Sequence, residues 1–538
     1  MKKNWWKNTV VYELYLQSFY DSNNDGIGDI EGAIEKLDYL KNLGVGAIWL
    51  TPIYDSPLID NGYDVADYQN INPIYGDIEK FKEFIQKAKN IDIKIIMDMV
   101  VNHTSDQHHW FKESRKSRNN PYRNYYIWRD KPDNTSSIFG GSAWTFDDST
   151  NQYYFHQFAK EQPDLNWENP IVRKEIAVMI KWWCELGVMG FRFDVIDLIG
   201  KEVDNKIFAN GPKLHQYIKE LRKNSWASDI FLTVGECWGA TIEDAIMYSS
   251  PNAEEFSMVF QFEHITQLQD QISKYKPKAV DFVKLKKIYK KWQQGLHGRG
   301  WNSLFLGNHD LPRMVSKYGN DSKYRKQSSK TLFTTLFLMQ GTPYIFQGDE
   351  IGMTNLNWKN ISDYKDVEIK NTYTDLVSKQ NKLTHDEFIL GILQNGRDHA
   401  RTPFQWNQQI NGGFSKSIPW IPINNNYSTI NADEDLKDPN GIYNFLQKLI
   451  KFRNNSEYSE IIEKGIYVPF LVEDPNLFIY ARANKHTVIK IIANWSEETI
   501  DITALKVSGL KILLNTETSF ENNKLRPWQT VVLREDRF

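Results

Sequence analysis

Three acidic residues each close an apolar, strand-like run. Gly190-Phe191-Arg192-Phe193-Asp194-Val195 alternates apolar and charged residues, Ile230 to Val234 runs into Gly235-Glu236, and Ser303 to Leu306 runs into Gly307-Asn308-His309-Asp310. A strand that buries an ionised carboxylate needs a charged, hydrogen-bonded partner. Arg192 lies two residues before Asp194, hence on the same strand face, and can be that partner and keep Asp194 ionised. Taken alone, the hexapeptide fits a structural ion pair as well as a functional one. Three such strand ends in one chain point further, because carboxyls brought together in different ionisation states do nucleophilic and general acid–base work.

For residues so distant in sequence to meet, the strands carrying them must end on one face. Eight strands can be counted: 10–15, 47–50, 94–99, 190–195, 230–236, 256–260, 303–306 and 344–346. Helical spacing recurs between them, as in Ile34, Leu37, Leu40 and Leu43 of a helix expected over 30–43, and in Phe282, Leu285, Ile288 and Trp292. Strands alternating with crossover helices predict an α/β fold of the (β/α)₈ TIM-barrel type, whose strands carry the site at their C-terminal ends.

With Asp98-Met99-Val100-Val101-Asn102-His103 upstream and Gln162-Pro163-Asp164-Leu165-Asn166 between, GFRFD, GE and NHD form an ordered set over most of the 538 residues. The set resembles the signature of the α-amylase family of glycoside hydrolases, and within it the oligo-1,6-glucosidase and dextran glucosidase (glucan 1,6-α-glucosidase) branch. The resemblance implies an exo-acting α-glucosidase that cleaves α-1,6 bonds with retention. Retention needs a carboxylate nucleophile and a protonated acid about 5 Å apart. Asp194 is then the nucleophile, Glu236 the acid/base, holding a proton through partial burial and nearby carboxylates, and Asp310 the transition-state stabiliser, assisted by His103 and His309.

The same resemblance places Asp60 and Tyr63 at the non-reducing-end glucose. Arg397, in Arg397-Asp398-His399-Ala400-Arg401, pairs with Asp60, and Arg401 is the alternative. Valine at position 195 goes with α-1,6 preference in this family; structurally, Val195 can equally pack behind its strand. Trp238, beside Glu236, is suited to shape the leaving-group side. Trehalose-6-phosphate hydrolases share the core motifs and form the alternative reading. A sucrose isomerase lacks support in the residues after NHD, and a noncatalytic sugar-binding homologue is disfavoured by the intact set of acids.

Between strand one and its helix, Asp21-Ser22-Asn23-Asn24-Asp25-Gly26-Ile27-Gly28-Asp29 sets oxygen ligands at alternate positions, as Ca²⁺ loops do. Position twelve is Gly32 rather than Glu, so the loop is no EF-hand, and a tight Asx-rich turn is the structural alternative. The family resemblance implies a structural Ca²⁺ held by Asp21, Asn23, Asp25, Asp29 and the Ile27 carbonyl. No organic cofactor is expected.

Residues 104–169 break the strand–helix rhythm and are rich in aromatics, so they are expected to form an inserted lobe after strand three, between barrel segments 1–103 and 170–460. Phe155 and Phe158 are singled out there as pocket walls, and the other aromatics as a mini-core. Short strands from 461 to 538 predict a C-terminal all-β sandwich. Balanced charge, 65 basic and 68 acidic residues, gives no footprint for nucleic acid or membrane. Two cysteines, Cys184 and Cys237, do not make a disulfide framework, and the N-terminal residues lack a leader-like apolar run. The expectation is a cytoplasmic monomer acting on a small oligosaccharide.

Overall fold

The structure, a computed structural model, describes residues 4–536. Eight parallel strands build the barrel: β1 (Val11–Leu14), β2 (Ala47–Leu50), β3 (Lys94–Val100), β4 (Gly190–Asp194), β5 (Leu232–Cys237), β6 (Met258–Gln261), β7 (Ser303–Leu304) and β8 (Thr342–Phe346). They pair in the order β6-β5-β4-β3-β2-β1-β8-β7, and a parallel bridge between Val259 and Asn302 joins the two ends. Strand β7 is shorter than expected, and the helix expected over 30–43 is two helices, Ile30–Glu35 and Leu37–Leu43, broken at Lys36.

Local sequence fixes the entry into β4. The helix Pro170–Leu186 starts with Asn169 accepting from the Ile171 N–H, carries proline in its first turn and stops at Gly187, whose φ of 106° is left-handed. Gly190 must also be glycine. A Cβ there would lie 2.1 Å from the Leu232 carbonyl oxygen and 2.6 Å from Ile96, so any side chain would push β3, β4 and β5 apart. In the resulting register Asp98 stands opposite Arg192, and Val100 opposite Asp194.

The segment between β3 and β4 holds a three-stranded antiparallel sheet of Trp128–Arg129, Trp144–Asp147 and Gln152–Phe155. Its aromatics pack chiefly on one another, with Phe111 stacked on Trp128 at 5.8 Å and Trp144 edge-on to Phe155 at 5.0 Å. The stretch after β8 contains the helices Val367–Tyr373 and His385–Asn395. These close a small core of Ile369, Leu383, Phe388 and Ile392 around Tyr275.

Five antiparallel strands follow: β9 (Ile466–Phe470), β10 (Leu477–Ala483), β11 (Thr487–Asn494), β12 (Lys511–Asn515) and β13 (Thr530–Asp536), paired β9-β10-β11-β13-β12. One face packs with Ile502, Val507 and Leu525; Phe478, Tyr480, Ile489 and Ile491 join the main core. Among the described residues no helix is long and apolar enough to cross a membrane, and both cysteines are free.

Candidate active site

Arg192, 1% exposed, lies at the centre of the first cluster. Its Nη1 donates to Asp194 Oδ1 at 2.7 Å and to Asp98 Oδ1 at 3.0 Å, and its Nη2 lies 2.8 Å from Glu236 Oε2. One guanidinium therefore spans both strand-end acids, which favours the roughly 5 Å carboxyl spacing of a double displacement. Arg192 was expected to keep Asp194 ionised. It does not serve Asp194 alone: burial pushes the Asp194 carboxyl well above its ordinary range, and Glu236 and Asp98 add to the rise against the pull of Arg192. Three carboxyls facing one guanidinium favour keeping a proton among them, the state in which an acid and a nucleophile coexist.

Glu236 is held from two sides. The Val195 N–H donates to its Oε2 at 2.9 Å and Trp238 Nε1 to its Oε1 at 3.2 Å. Val195 adopts φ 34° and ψ 45°, a left-handed conformation that a β-branched residue enters only under strain. Trp238 is fixed in turn by stacking on Phe262 at 4.0 Å.

The second cluster surrounds Asp310. Its Oδ1 accepts from Arg397 Nη1 and Arg401 Nη2, each at 3.0 Å, and His309 Nε2 lies 3.1 Å from its Oδ2. Burial works to raise Asp310, but His309, Arg397 and Arg401 outweigh it and hold the carboxyl well below its usual range. Burial likewise works to lower His309, yet Asp310 and Glu13 raise it to about 10. Tyr63 links the clusters, with its hydroxyl 2.9 Å from Asp98 Oδ2 and 2.7 Å from His309 Nε2, and its ring stacked on His309.

Both clusters open onto one cavity of about 410 Å³. Asp60, Tyr63, His103, Phe158, Asp194, Val195, Glu236, Trp238, Asp310 and Arg397 all line it. Arg397 Nη2 lies 3.6 Å from Asp60 Oδ1, whereas Arg401 faces Asp310. His103 is neutral, lowered to about 4 by burial, and packs under Phe158 at 5.0 Å. Phe155 needs correction. It is fully buried against Trp144 and Val203 in the lobe's own core and does not reach the cavity. The aromatic wall is instead Phe139 with Phe158, whose rings lie 5.3 Å apart.

Several residues that build the site escaped the sequence reading. Asp98 and Glu13 interrupt apolar strands as Arg192 does, and that signal could have found them. Asp366 grips Arg397 through Nε at 2.8 Å and Nη2 at 2.6 Å, and Glu368 pairs with Lys274 at 2.7 Å. Asp197, Leu198 and Ala209 also line the cavity. Behind it, Lys201 Nζ lies 3.0 Å from Asp164 Oδ2 and donates to the side-chain Oδ1 of Asn102 at 2.6 Å, tying the lobe to the loop that follows β3.

In the first loop, Asp21 accepts from the N–H groups of Asn24 and Gly26, Asn23 from Asp25, Asp25 from Ile27, and Asp29 from Ser22 and Gly32. Each of these oxygens has a second lone pair, so the hard donor set fits a divalent cation, although the hydrogen bonds by themselves also account for the turn. Among the described residues no group of three His, Cys, Asp or Glu side chains is already gathered round a metal position.

Residues 13–465 match the family model of the α-amylase catalytic domain. The chain is 44% identical to the oligo-1,6-glucosidase of Parageobacillus thermoglucosidasius, covering 99% of each. It is 46% identical to the glucan 1,6-alpha-glucosidase of Streptococcus pneumoniae, covering 98% of each. The crystal structure of Bacillus licheniformis trehalose-6-phosphate hydrolase superposes with a TM-score of 0.92 at 41% identity, over 99% of this chain and all of that one. A barrel with three strand-end acids round one cavity, matched over its length by these relatives, belongs to the α-amylase family as a glycoside hydrolase of the α-glucosidase group.

Proposed function

We propose that the chain is a retaining, exo-acting α-glucosidase that removes glucose from the non-reducing end of α-1,6-linked oligosaccharides. The observation that carries this reading is the charge of the cavity wall. Asp60, Asp194, Asp197, Glu236, Asp310 and Glu368 face it against Lys274 and Arg397. Such a wall offers acceptors to a neutral, hydroxyl-rich sugar and repels a phosphate dianion.

In this reading the buried Asp60–Arg397 pair, with His103 and Phe158 beside it, receives the terminal glucose and blocks a longer chain. Asp194 attacks the anomeric carbon while Glu236 gives its proton to the departing oxygen; Glu236 then takes a proton from the water that releases the glucose. Asp310, kept ionised by its cations, stabilises the positive charge that develops on the ring. Val195 narrows the cavity beside the nucleophile. One or two methyl groups there are worth about 1–3 kcal/mol, a ten- to two-hundredfold preference between linkages. A structural Ca²⁺ in the first loop belongs to the same proposal, as does the division into barrel 1–103 and 170–460, lobe 104–169 and C-terminal unit 461–538.

Trehalose 6-phosphate hydrolysis is the second reading, favoured by Lys274 at the cavity and by the likeness to the Bacillus enzyme. A panel of isomaltose, panose, dextran, maltose, sucrose and trehalose 6-phosphate separates the two. The expected result is the highest kcat/KM on isomaltose or panose. Turnover of the phosphorylated sugar alone overturns the proposal.

A further inference from the structure

Glu13 is a buried acid that the reaction as described leaves without a task. It sits on β1, is 1% exposed, and does not line the cavity. Its partner is His309, the fully buried residue before Asp310. Glu13 Oε1 accepts from the His309 backbone N–H at 3.2 Å and from the ring Nδ1 at 2.6 Å. Tyr63 and Tyr15 both stack on the ring, at 5.2 and 6.3 Å.

The other ring nitrogen also meets acceptors. Nε2 lies 3.1 Å from Asp310 Oδ2 and 2.7 Å from the Tyr63 hydroxyl, whose own proton is donated to Asp98. An ionised carboxylate, and a hydroxyl whose proton is already donated elsewhere, can only accept, so Nε2 needs a proton. Nδ1, facing Glu13, needs one too. With acceptors at both nitrogens the ring fits as an imidazolium.

We propose that Glu13 is a positioning residue for Asp310: its carboxylate keeps the His309 ring doubly protonated and turned so that Nε2–H is donated to Asp310. The inference rests on Asp310 being the transition-state stabiliser.

Burial alone would favour a neutral pair with the proton on Glu13, and it raises the Glu13 carboxyl above its ordinary range. Two effects oppose that transfer. The hydrogen bonds and charge of His309 pull Glu13 down, helped by Arg192 from β4, while Asp310 and Glu13 together lift His309 to about 10. Transfer would also trade two charge-assisted bonds to one carboxylate oxygen for weaker bonds to a carboxyl. Around the pair, Asp98 faces His309 from β3, and Arg401 donates Nε to the His309 carbonyl oxygen at 3.2 Å. Tyr344 and Asp349 face Glu13 from β8 and the turn after it.

The test is histidine-ring nitrogen NMR on the wild type, on Glu13→Gln and, for assignment, on His309→Gln. Glutamine keeps an oxygen for both N–H groups and removes only the charge. At about pH 8 the wild-type His309 ring is expected to carry both protons, and in Glu13→Gln its deprotonation midpoint should fall by at least about one pH unit. Turnover of isomaltose should fall by roughly ten- to a hundredfold in kcat, less than when a donor is removed outright. Placed in Asp310→Asn, the same change should cost little more, because its effect runs through that carboxylate. A wild-type ring with one bare nitrogen, a midpoint that Glu13→Gln leaves in place, or fully additive losses in the double variant overturns the inference. The wild-type spectrum decides even where the variant fails to fold. Asp310→Asn with undiminished kcat sinks instead the reading beneath it, whatever the ring shows.

Discussion

Around Arg192, three carboxyls share one guanidinium, whereas around Asp310 one carboxylate is met by Arg397, Arg401 and His309. Both groups are buried, and Tyr63 bridges them. The same side chain, aspartate, is pushed up in the first and down in the second. What differs is the local count of charges, not burial. A cluster short of positive charge retains a mobile proton, as an acid–nucleophile pair requires. A cluster with surplus positive charge fixes a permanent negative one, suited to a ring that becomes cationic.

The sharpest way to break this contrast is to neutralise one aspartate in each cluster. Asp194→Asn should lower kcat by roughly 10⁴- to 10⁶-fold, as loss of a nucleophile does. Asp310→Asn should cost about 10²- to 10³-fold, the scale of one electrostatic stabiliser. Their effects on stability should have opposite signs. Asp194, raised in the folded state, costs stability as pH climbs past the ordinary carboxylate range, so Asp194→Asn should raise Tm near pH 8. Asp310→Asn strands Arg401 and part of Arg397, and should lower stability by on the order of 3 kcal/mol. Melting curves with the same sign for both variants would remove the distinction.

Glu236→Gln leaves the nucleophile in place but removes the proton donor. Loss on isomaltose should be about 10²- to 10⁴-fold, and far smaller on an activated aryl α-glucoside. A smaller effect comes from His309. Its folded pKa of about 10 lies above the unfolded value, so its share of stability is complete below about 6.5 and lost as pH rises through about 10. Tm should fall progressively between about pH 6.5 and about 10, and His309→Gln should flatten that fall. Smallest is the first loop, far from either cluster in role. Chelation should lower Tm by a few degrees with little change in turnover, and Ca²⁺ should restore it. An unchanged Tm, with no metal by elemental analysis, would reduce the loop to a hydrogen-bonded turn.

Much of the first cluster was legible because each of its acids ends or interrupts an apolar strand. Asp194 and Glu236 are conspicuous against their neighbours, and the glycine before β4 and the cap at Asn169 announce the elements that deliver Asp194. Asp98 carried the same mark and was passed over. The second cluster was less legible. Arg397 was found through its motif, but Asp366, Glu368 and Lys274 lie in polar stretches without periodicity, and only long-range packing brings them together. Phe155 and Phe158 differ by three residues in a lobe dense with rings. Which of the two faces the cavity depends on the pairing of three short strands, which composition does not encode.

The most direct test of the two-cluster account is the anomer released first. If Asp194 and Glu236, spanned by Arg192, act as nucleophile and acid at close spacing, displacement occurs twice and configuration is kept. Proton NMR of the first turnovers should then show α-glucose appearing before mutarotation supplies the β form. β-Glucose as the initial product would mean a single displacement by water, and would contradict the roles assigned to both clusters.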